Sequence, residues 1–376
     1  MLTRSRRSSP SRVPSTGATM ADLPAIRFSN PAGATMRVGF IGGGQRGRLF
    51  AGLMSRHSDV EVVGVYDPSE ASAKAFADAT SSASFGTAES LMTEGLEAVV
   101  VATPDHLHLD AALAAVQACS AVLVEKPLAT SASDARQIRD AAVANGCSVS
   151  LAYLNRWHPA FARVLQDANT GAFGRVLFQN ARLSNSVRVP TKMLGWAAAS
   201  SPGWFLMPHS LDLVTAIAPR GRTTVRAVGH RGLLASRGVD TWDGLQAVIG
   251  FMDGSSALVE SLWVLPENLP SAVRFGLEVI GESGMAVVDD SVQGIEEYGD
   301  STEFPRVLVG DVAGVPSGPN VLMLDAFVQS LRDGVARLPD ADDGLWVTQI
   351  IEAIHTSADE RVDIGVEPDD ARVACY

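Results

Sequence analysis

The stretch Met36-Arg37-Val38-Gly39-Phe40-Ile41-Gly42-Gly43-Gly44-Gln45-Arg46-Gly47 decides the fold. Its first six residues are a short, largely apolar run, the pattern of a strand covered on both faces of a parallel sheet. Glycines 42, 44 and 47 follow at the spacing G-x-G-x-x-G, and Arg46 to Ser55 reads as a helix. Between a strand and a helix, the first glycine permits the tight turn and the second lets backbone approach a pyrophosphate. The third lets the helix pack closely, with its N-terminus facing the phosphates. A second strand, Val60 to Tyr66, ends at Asp67, 20 residues beyond Gly47. A carboxylate there hydrogen-bonds adenosine ribose hydroxyls and repels a ribose phosphate, so the expected cofactor is NAD rather than NADP.

Outward from this unit the alternation continues. Glu70–Asp78 reads as a helix, Ala98–Ala102 as a strand, Leu107–Ala118 as a helix and Ala121–Val124 as a strand. Ser133–Asn145, stopped by Gly146, reads as a helix, and Ser148–Leu151 as a strand. Strands alternating with helices of about ten residues predict an α/β domain with a parallel sheet over 36–155. From Arg156 the rhythm becomes β-rich: Arg175–Leu183, Thr223–Gly229, Gly244–Phe251, Ser256–Trp263, Val273–Ile280 and Met285–Asp289. Asp253-Gly254 and Ser283-Gly284 read as hairpin turns between such runs. Residues 156–376 are therefore expected to form an α+β domain with an open, mostly antiparallel sheet. Its helices are predicted at Pro208–Ile217, near Leu322–Gly334 and at Leu345–Ala358.

The bulk properties exclude several classes. The chain has 376 residues, enough for about two domains, with 46% hydrophobic and 19% charged residues. A net charge of −12 argues against nucleic acid and anionic membrane as partners. No run reaches the length of a membrane span. Cys119, Cys147 and Cys375 are widely spaced, without a disulfide pattern, which suggests a reducing, cytoplasmic setting. Residues 1–35 carry Arg4, Arg6, Arg7, Arg12 and Arg27 against one acid, Asp22, and no apolar segment, as in a disordered leader. Met20 and Met36 are alternative starts.

Two further strand ends carry chemistry. Val101-Ala102-Thr103-Pro104-Asp105-His106-Leu107-His108 lies at the carboxyl edge of a parallel strand, where ligands of open α/β sheets bind. His106 and His108 lack the carboxylate or thiolate cluster of a metal site, so no metal is expected. The next strand ends in Val124-Glu125-Lys126-Pro127, over the same crevice. From the residues alone a solvated surface lysine is the default reading of Lys126, with a hydrogen-bond partner for a substrate hydroxyl as the alternative.

Together the glycine loop, Asp67, the Ala-Thr-Pro…His run and Glu125-Lys126-Pro127 resemble the glucose–fructose oxidoreductase/inositol dehydrogenase (Gfo/Idh/MocA) family. The likeness continues through Asn155-Arg156-Trp157-His158-Pro159 and extends from Met36 to about Val366. It implies a Rossmann domain followed by an open-sheet domain that supplies the substrate site and oligomer contacts, here a homodimer or homotetramer. It implies hydride transfer between a pyridine nucleotide and a secondary alcohol of a sugar, cyclitol or related small molecule. Gly42, Gly44, Gln45, Arg46, Gly47 and Asp67 are then expected to hold NAD, with Thr103, Pro104, His108, Glu125, Lys126 and Arg156.

The resemblance also implies three polar catalytic positions at a helix in the second domain, an Asp, then a His, then an Asp. Here Trp204-Phe205-Leu206-Met207-Pro208-His209-Ser210-Leu211-Asp212 keeps His209 and Asp212, but Phe205 stands at the first position. His209 is the expected base, with Lys126 polarising the hydroxyl and Asp212 either orienting His209 or capping a turn. Phe205, Trp204 and Trp157 predict a comparatively apolar pocket. Two other functions fit the same residues. One is tightly held NAD used transiently for elimination, epimerisation or glycoside cleavage. The other is a nucleotide-binding sensor or partner subunit without catalysis.

Overall fold

The computed structural model describes residues 35–369 apart from 294, 300–301 and 305–307. The basic leader, except Thr35, and Cys375 lie outside these residues.

The first half alternates as the sequence predicts. Its elements are β1 (Met36–Ile41), α1 (Gln45–Met54), β2 (Val60–Tyr66), α2 (Glu70–Thr80), β3 (Ala83–Phe85), α3 (Ala88–Met92) and β4 (Ala98–Val101). They continue with α4 (His108–Ala118), β5 (Ala121–Val124), α5 (Ala132–Asn145) and β6 (Ser148–Leu151). The six strands are parallel in the order β3-β2-β1-β4-β5-β6, the doubly wound arrangement of a Rossmann domain. β4 and β5, Ala-Val-Val-Val and Ala-Val-Leu-Val, are buried at every residue because helices cover both faces. α5 shows how locally its ends are set: Ser131 accepts a hydrogen bond from the Asp134 amide, and Gly146 terminates the helix at φ 63°.

The second half contains α6 (Pro159–Asn169), β7 (Val176–Asn185), α7 (Pro202–Thr215), β8 (Thr223–Arg231), β9 (Trp242–Gly250), β10 (Ser256–Leu262), β11 (Val273–Gly281) and β12 (Met285–Asp289). Two short ribbons follow, β13 (Glu297–Tyr298) with β14 (Thr302–Glu303) and β15 (Gly310–Val312) with β16 (Val315–Ser317). Then come α8 (Pro319–Asp333), α9 (Ala341–Glu360) and β17 (Ile364–Val366). Seven strands form an open sheet in the order β12-β11-β7-β10-β9-β8-β17, antiparallel except for the parallel pair β7–β10. The Asp253-Gly254 and Ser283-Gly284 turns join β9 to β10 and β11 to β12. α7 and α9 cover one face of this sheet. The other leaves Phe178, Val248, Leu258, Met285 and Val287 about half exposed or more.

Three features depart from the sequence reading. α7 begins at Pro202, not Pro208: Ser201 caps it by accepting the Trp204 amide, and Pro202 occupies the first turn. Pro208 sits inside, because burial against β7, β10 and α9 outweighs its missing hydrogen bond. α8 packs its Met323, Leu324 and Phe327 with Phe40 and Phe50 of the first domain, so the chain returns to the Rossmann core. Cys119 and Cys147, far apart in sequence, meet because β5 and β6 are neighbours. The Cys119 thiol donates to the Ala115 and Ala121 carbonyls, and interaction between the two thiols lowers the pKa of Cys119 and, with burial, raises that of Cys147. Both are free thiols. No helix among the described residues is long and apolar enough to cross a membrane.

Candidate active site

Each strand of the parallel sheet delivers a residue to the same edge. After β1 the glycine loop turns at Gly42 with φ 102°, where a Cβ would lie 2.6 Å from the Ala102 carbonyl. A Cβ on Gly47 would lie 2.1 Å from the Gly42 oxygen, so the third glycine is fixed by helix–strand packing. A Cβ on Gly44 would meet nothing within 4 Å, so backbone there fronts open space at the start of α1. That is the cradle a pyrophosphate requires. Gln45 is exposed at the same helix start. Asp67, at the end of β2, accepts the Gly43 amide at 2.8 Å through one oxygen and the Ser69 amide at 2.8 Å through the other. It therefore braces the glycine loop from the end of β2.

A cavity of about 260 Å³ lies between this edge and the second domain. Arg46, Thr103, Glu125 and Lys126 line it from the first domain. Glu125 faces Arg46 Nε at 2.8 Å and accepts the Lys126 amide. Thr103 Oγ1 is buried with no hydrogen-bond partner among the described residues. Pro104 only introduces the turn Asp105–Leu107. His108 is placed differently from the dinucleotide contact implied for it: it is 1% exposed, with its ring nitrogens at the Pro127 and Thr103 carbonyls. It ties two loops of the edge together from behind.

Lys126 is the central group. Its side chain is buried, Nζ donates to the Phe205 carbonyl at 2.8 Å, and Nζ stands 4.2 Å from the centre of the Phe205 ring. Burial lowers its pKa, against the opposing influence of Glu125 and Asp105. Phe205 thus offers a carbonyl and a ring face where a carboxylate would have held the ammonium charged. The carbonyl is presented in the turn of α7 that contains Pro208.

His209, on α7, lines the cavity, and Asn155 Nδ2 approaches its Nδ1 at 3.2 Å. Asn155 comes from the segment after β6, and the sequence reading passed over it. Asp212 turns its carboxylate to Arg156. It is 1% exposed and receives Arg156 through Nε and Nη2 at 2.7–3.0 Å. Burial pushes its pKa up to about 6, although Arg156 pulls the other way. Arg156 is correspondingly turned to Asp212 and does not line the cavity.

The apolar wall differs in membership from expectation. Phe205 belongs to it, but Trp204 stacks on His355 with centroids 4.9 Å apart, and Trp157 packs against the other core. Trp196 takes their place, edge-on to Phe205 at 5.7 Å. Asn185, at the end of β7, and Phe275, on β11, complete the far side. Among the described residues no cluster of metal-ligating groups occurs.

Comparison with known proteins agrees with this fold. Residues 36–153 match the model of an oxidoreductase family with an NAD-binding Rossmann fold, Gfo/Idh/MocA. The inositol 2-dehydrogenase of Acidothermus cellulolyticus is 31% identical over 257 residues, 66% of this chain and 72% of that protein. The rhizopine catabolism protein MocA of Rhizobium meliloti is 24% identical over 326 residues, 84% of this chain and 93% of its own. Among solved structures, GenD2 from gentamicin A biosynthesis, in complex with NAD, superposes with a TM-score of 0.77 at 22% identity. That match covers 89% of this chain and 97% of GenD2.

Proposed function

Because the chain belongs to the Gfo/Idh/MocA family of NAD-binding oxidoreductases, we propose that it is a dehydrogenase of a secondary alcohol on a sugar, cyclitol or glycoside, acting in the cavity between Lys126 and His209. Its cofactor is NAD. The glycine loop and Asp67 hold the dinucleotide, and Thr103, Arg46 and Glu125 border the reacting end. When bound, NAD supplies the hydride acceptor. The observation that carries the reading is a buried lysine of lowered pKa facing a histidine over the cofactor edge.

The chain's own groups divide the remaining work. As the Asn155 amide lies, it donates to His209 Nδ1, which leaves the neutral ring's proton on Nε2. His209 then donates to the substrate oxygen, and Lys126 accepts the alcohol proton on its lone pair while still bonded to the Phe205 carbonyl. These roles are the reverse of those expected from sequence. Phe205 explains the exchange: without a further carboxylate at position 205, the buried amine sheds its proton more readily, although Glu125 and Asp105 still oppose this.

A pH profile tests this assignment. The value of kcat/KM for oxidation should rise with pH through an inflection below the ordinary lysine value of 10.5. Phe205→Asp supplies a neighbouring negative charge, favours the ammonium, and should move that inflection upward by about one unit or more. An unchanged inflection would remove Lys126 from the role of base.

Asp67→Ser should weaken NAD about ten- to a hundredfold, through loss of the ribose contact and of the brace on Gly43. It should also narrow the preference for NAD over NADP, measured as the ratio of their kcat/KM values. An unaltered ratio would place the ribose contact elsewhere. The bare face of the open sheet, with Phe178, Leu258 and Met285, is where we place homo-oligomer contacts. Light scattering should give a dimer or tetramer that Leu258→Asp shifts toward monomer; a wild-type monomer would contradict it. The free Cys119 and Cys147 thiols fit a cytoplasmic, reducing setting.

A further inference from the structure

A second cavity, of about 980 Å³, adjoins the reaction site and shares Val273 and Leu308 with it. Its walls are the loop between β10 and β11, Arg188 beyond β7, and Thr302–Phe304. They are mixed in character, with Arg188, Glu267, Asn268 and Glu303 beside Leu269, Pro270 and Phe304. None of these groups serves the chemistry described above.

The reaction cavity itself is poorly suited to a bare polyol. A free cyclitol or monosaccharide carries a hydroxyl on nearly every ring carbon, and each must find a partner once water is stripped away. From the second domain the walls include Trp196, Phe205, Leu206, Val273 and Phe275, with His209 and Asn185 as polar groups; the other polar lining groups, Asp105, Lys126 and Asn155 among them, come from the nucleotide edge. Asn185 is 4% exposed. One end of its amide reaches the Ala272 carbonyl at 3.4 Å, and the other has no partner among the described residues. Such a buried, unpaired amide end on a cavity wall is a place for a ligand hydroxyl. The second-domain wall thus meets the reacting hydroxyl and one neighbour, and offers mainly aromatic and aliphatic surface beyond them.

We propose that the substrate is a two-part conjugate: a ring bearing the reacting alcohol, joined to a polar substituent of comparable size such as a second sugar. The ring lies against Trp196 and Phe205, with a hydroxyl on Asn185. The substituent passes Val273 and Leu308 into the second cavity and meets Arg188 and Asn268. This inference rests on the dehydrogenase reading and adds the size and polarity of the substrate.

The test compares matched pairs: glucose against cellobiose, maltose and sucrose, and myo-inositol against its galactoside. NADH formation and calorimetric binding to the NAD-loaded protein are both recorded. At least one conjugate should exceed its free ring about tenfold or more in kcat/KM. Ala272→Trp, which fills the second cavity from an exposed wall position, should remove most of that advantage. Asn185→Ala should weaken binding of both members of the pair. Free rings that equal or surpass every conjugate overturn the inference and leave the dehydrogenase reading standing. So does an Ala272→Trp protein that retains the full preference. Conjugates that bind about tenfold tighter without forming NADH support the inference and overturn the dehydrogenase reading. Neither binding nor NADH from any pair overturns both.

Discussion

Replacing Lys126 with Ala is expected to lower turnover by about 10²–10⁴ while NAD binding survives. Lys126 accepts the substrate proton, and no other amine lines the cavity among the described residues. The dinucleotide is held mainly elsewhere, by the loop Gly42–Gly47 and by Asp67. The loss should therefore fall on kcat, with little change in a fluorescence titration of NAD. Lys126→Arg sharpens the test. Arginine preserves a positive charge but cannot give up its proton at working pH. If the lysine served only as a fixed cation over the Phe205 ring, arginine would restore activity. As a base it has no substitute in arginine, and the variant should stay within about tenfold of Lys126→Ala.

The largest expected effect on stability is at Arg156. Arg156→Ala leaves the Asp212 carboxylate, 1% exposed, without the guanidinium that binds both its oxygens. Stranding one partner of such a pair costs about 3–5 kcal/mol, read as a lower urea midpoint. Asp212→Asn in the same background should recover much of the loss, because an amide does not need a counter-charge. The pH dependence follows from the sign of the shift. Burial raises the folded-state pKa of Asp212 to about 6, from an ordinary 3.8, and loss of Arg156 removes the influences that lower it. A raised carboxylate pKa means the folded state holds the proton more tightly than the unfolded state. The penalty is thus absent below the ordinary value and grows as pH rises through the folded pKa. Arg156→Ala should be more damaging at about pH 8 than at about pH 5. Activity should fall too, because Arg156 follows Asn155, which orients His209, and Asp212 lies one helical turn beyond His209.

What the sequence disclosed depended on how local each feature is. The glycine loop, Asp67 and Lys126 were readable because each sits at the end of an apolar strand, and parallel strands bring such ends to one edge. Asn155 stands in the Asn155–Pro159 run, but nothing local in the sequence shows that its amide reaches His209. α6 also had its signal, Pro159 opening an amphipathic segment. The start of α7 was misplaced because Pro208 resembles a first-turn proline, whereas Ser201-Pro202 is the actual cap and first turn. The Arg156–Asp212 pair, the approach of Trp196 to Phe205 and the arrival of Asn185 at the cavity had no local signature. Each depends on how the open sheet and α7 dock against the nucleotide edge. The departure at Phe205 was visible as a missing acid. Its consequence, an amine resting on a backbone carbonyl and a ring face, required the fold.

The most direct test of the central claim is NADH absorbance, followed with the purified wild-type protein, NAD and a panel of sugars, cyclitols and their glycosides, beside Lys126→Ala. NADH should accumulate with at least one of these alcohols in the wild type and should fall by about 10²–10⁴ in rate in the variant. No NADH with any of them, or a Lys126→Ala protein as active as the wild type, would contradict it.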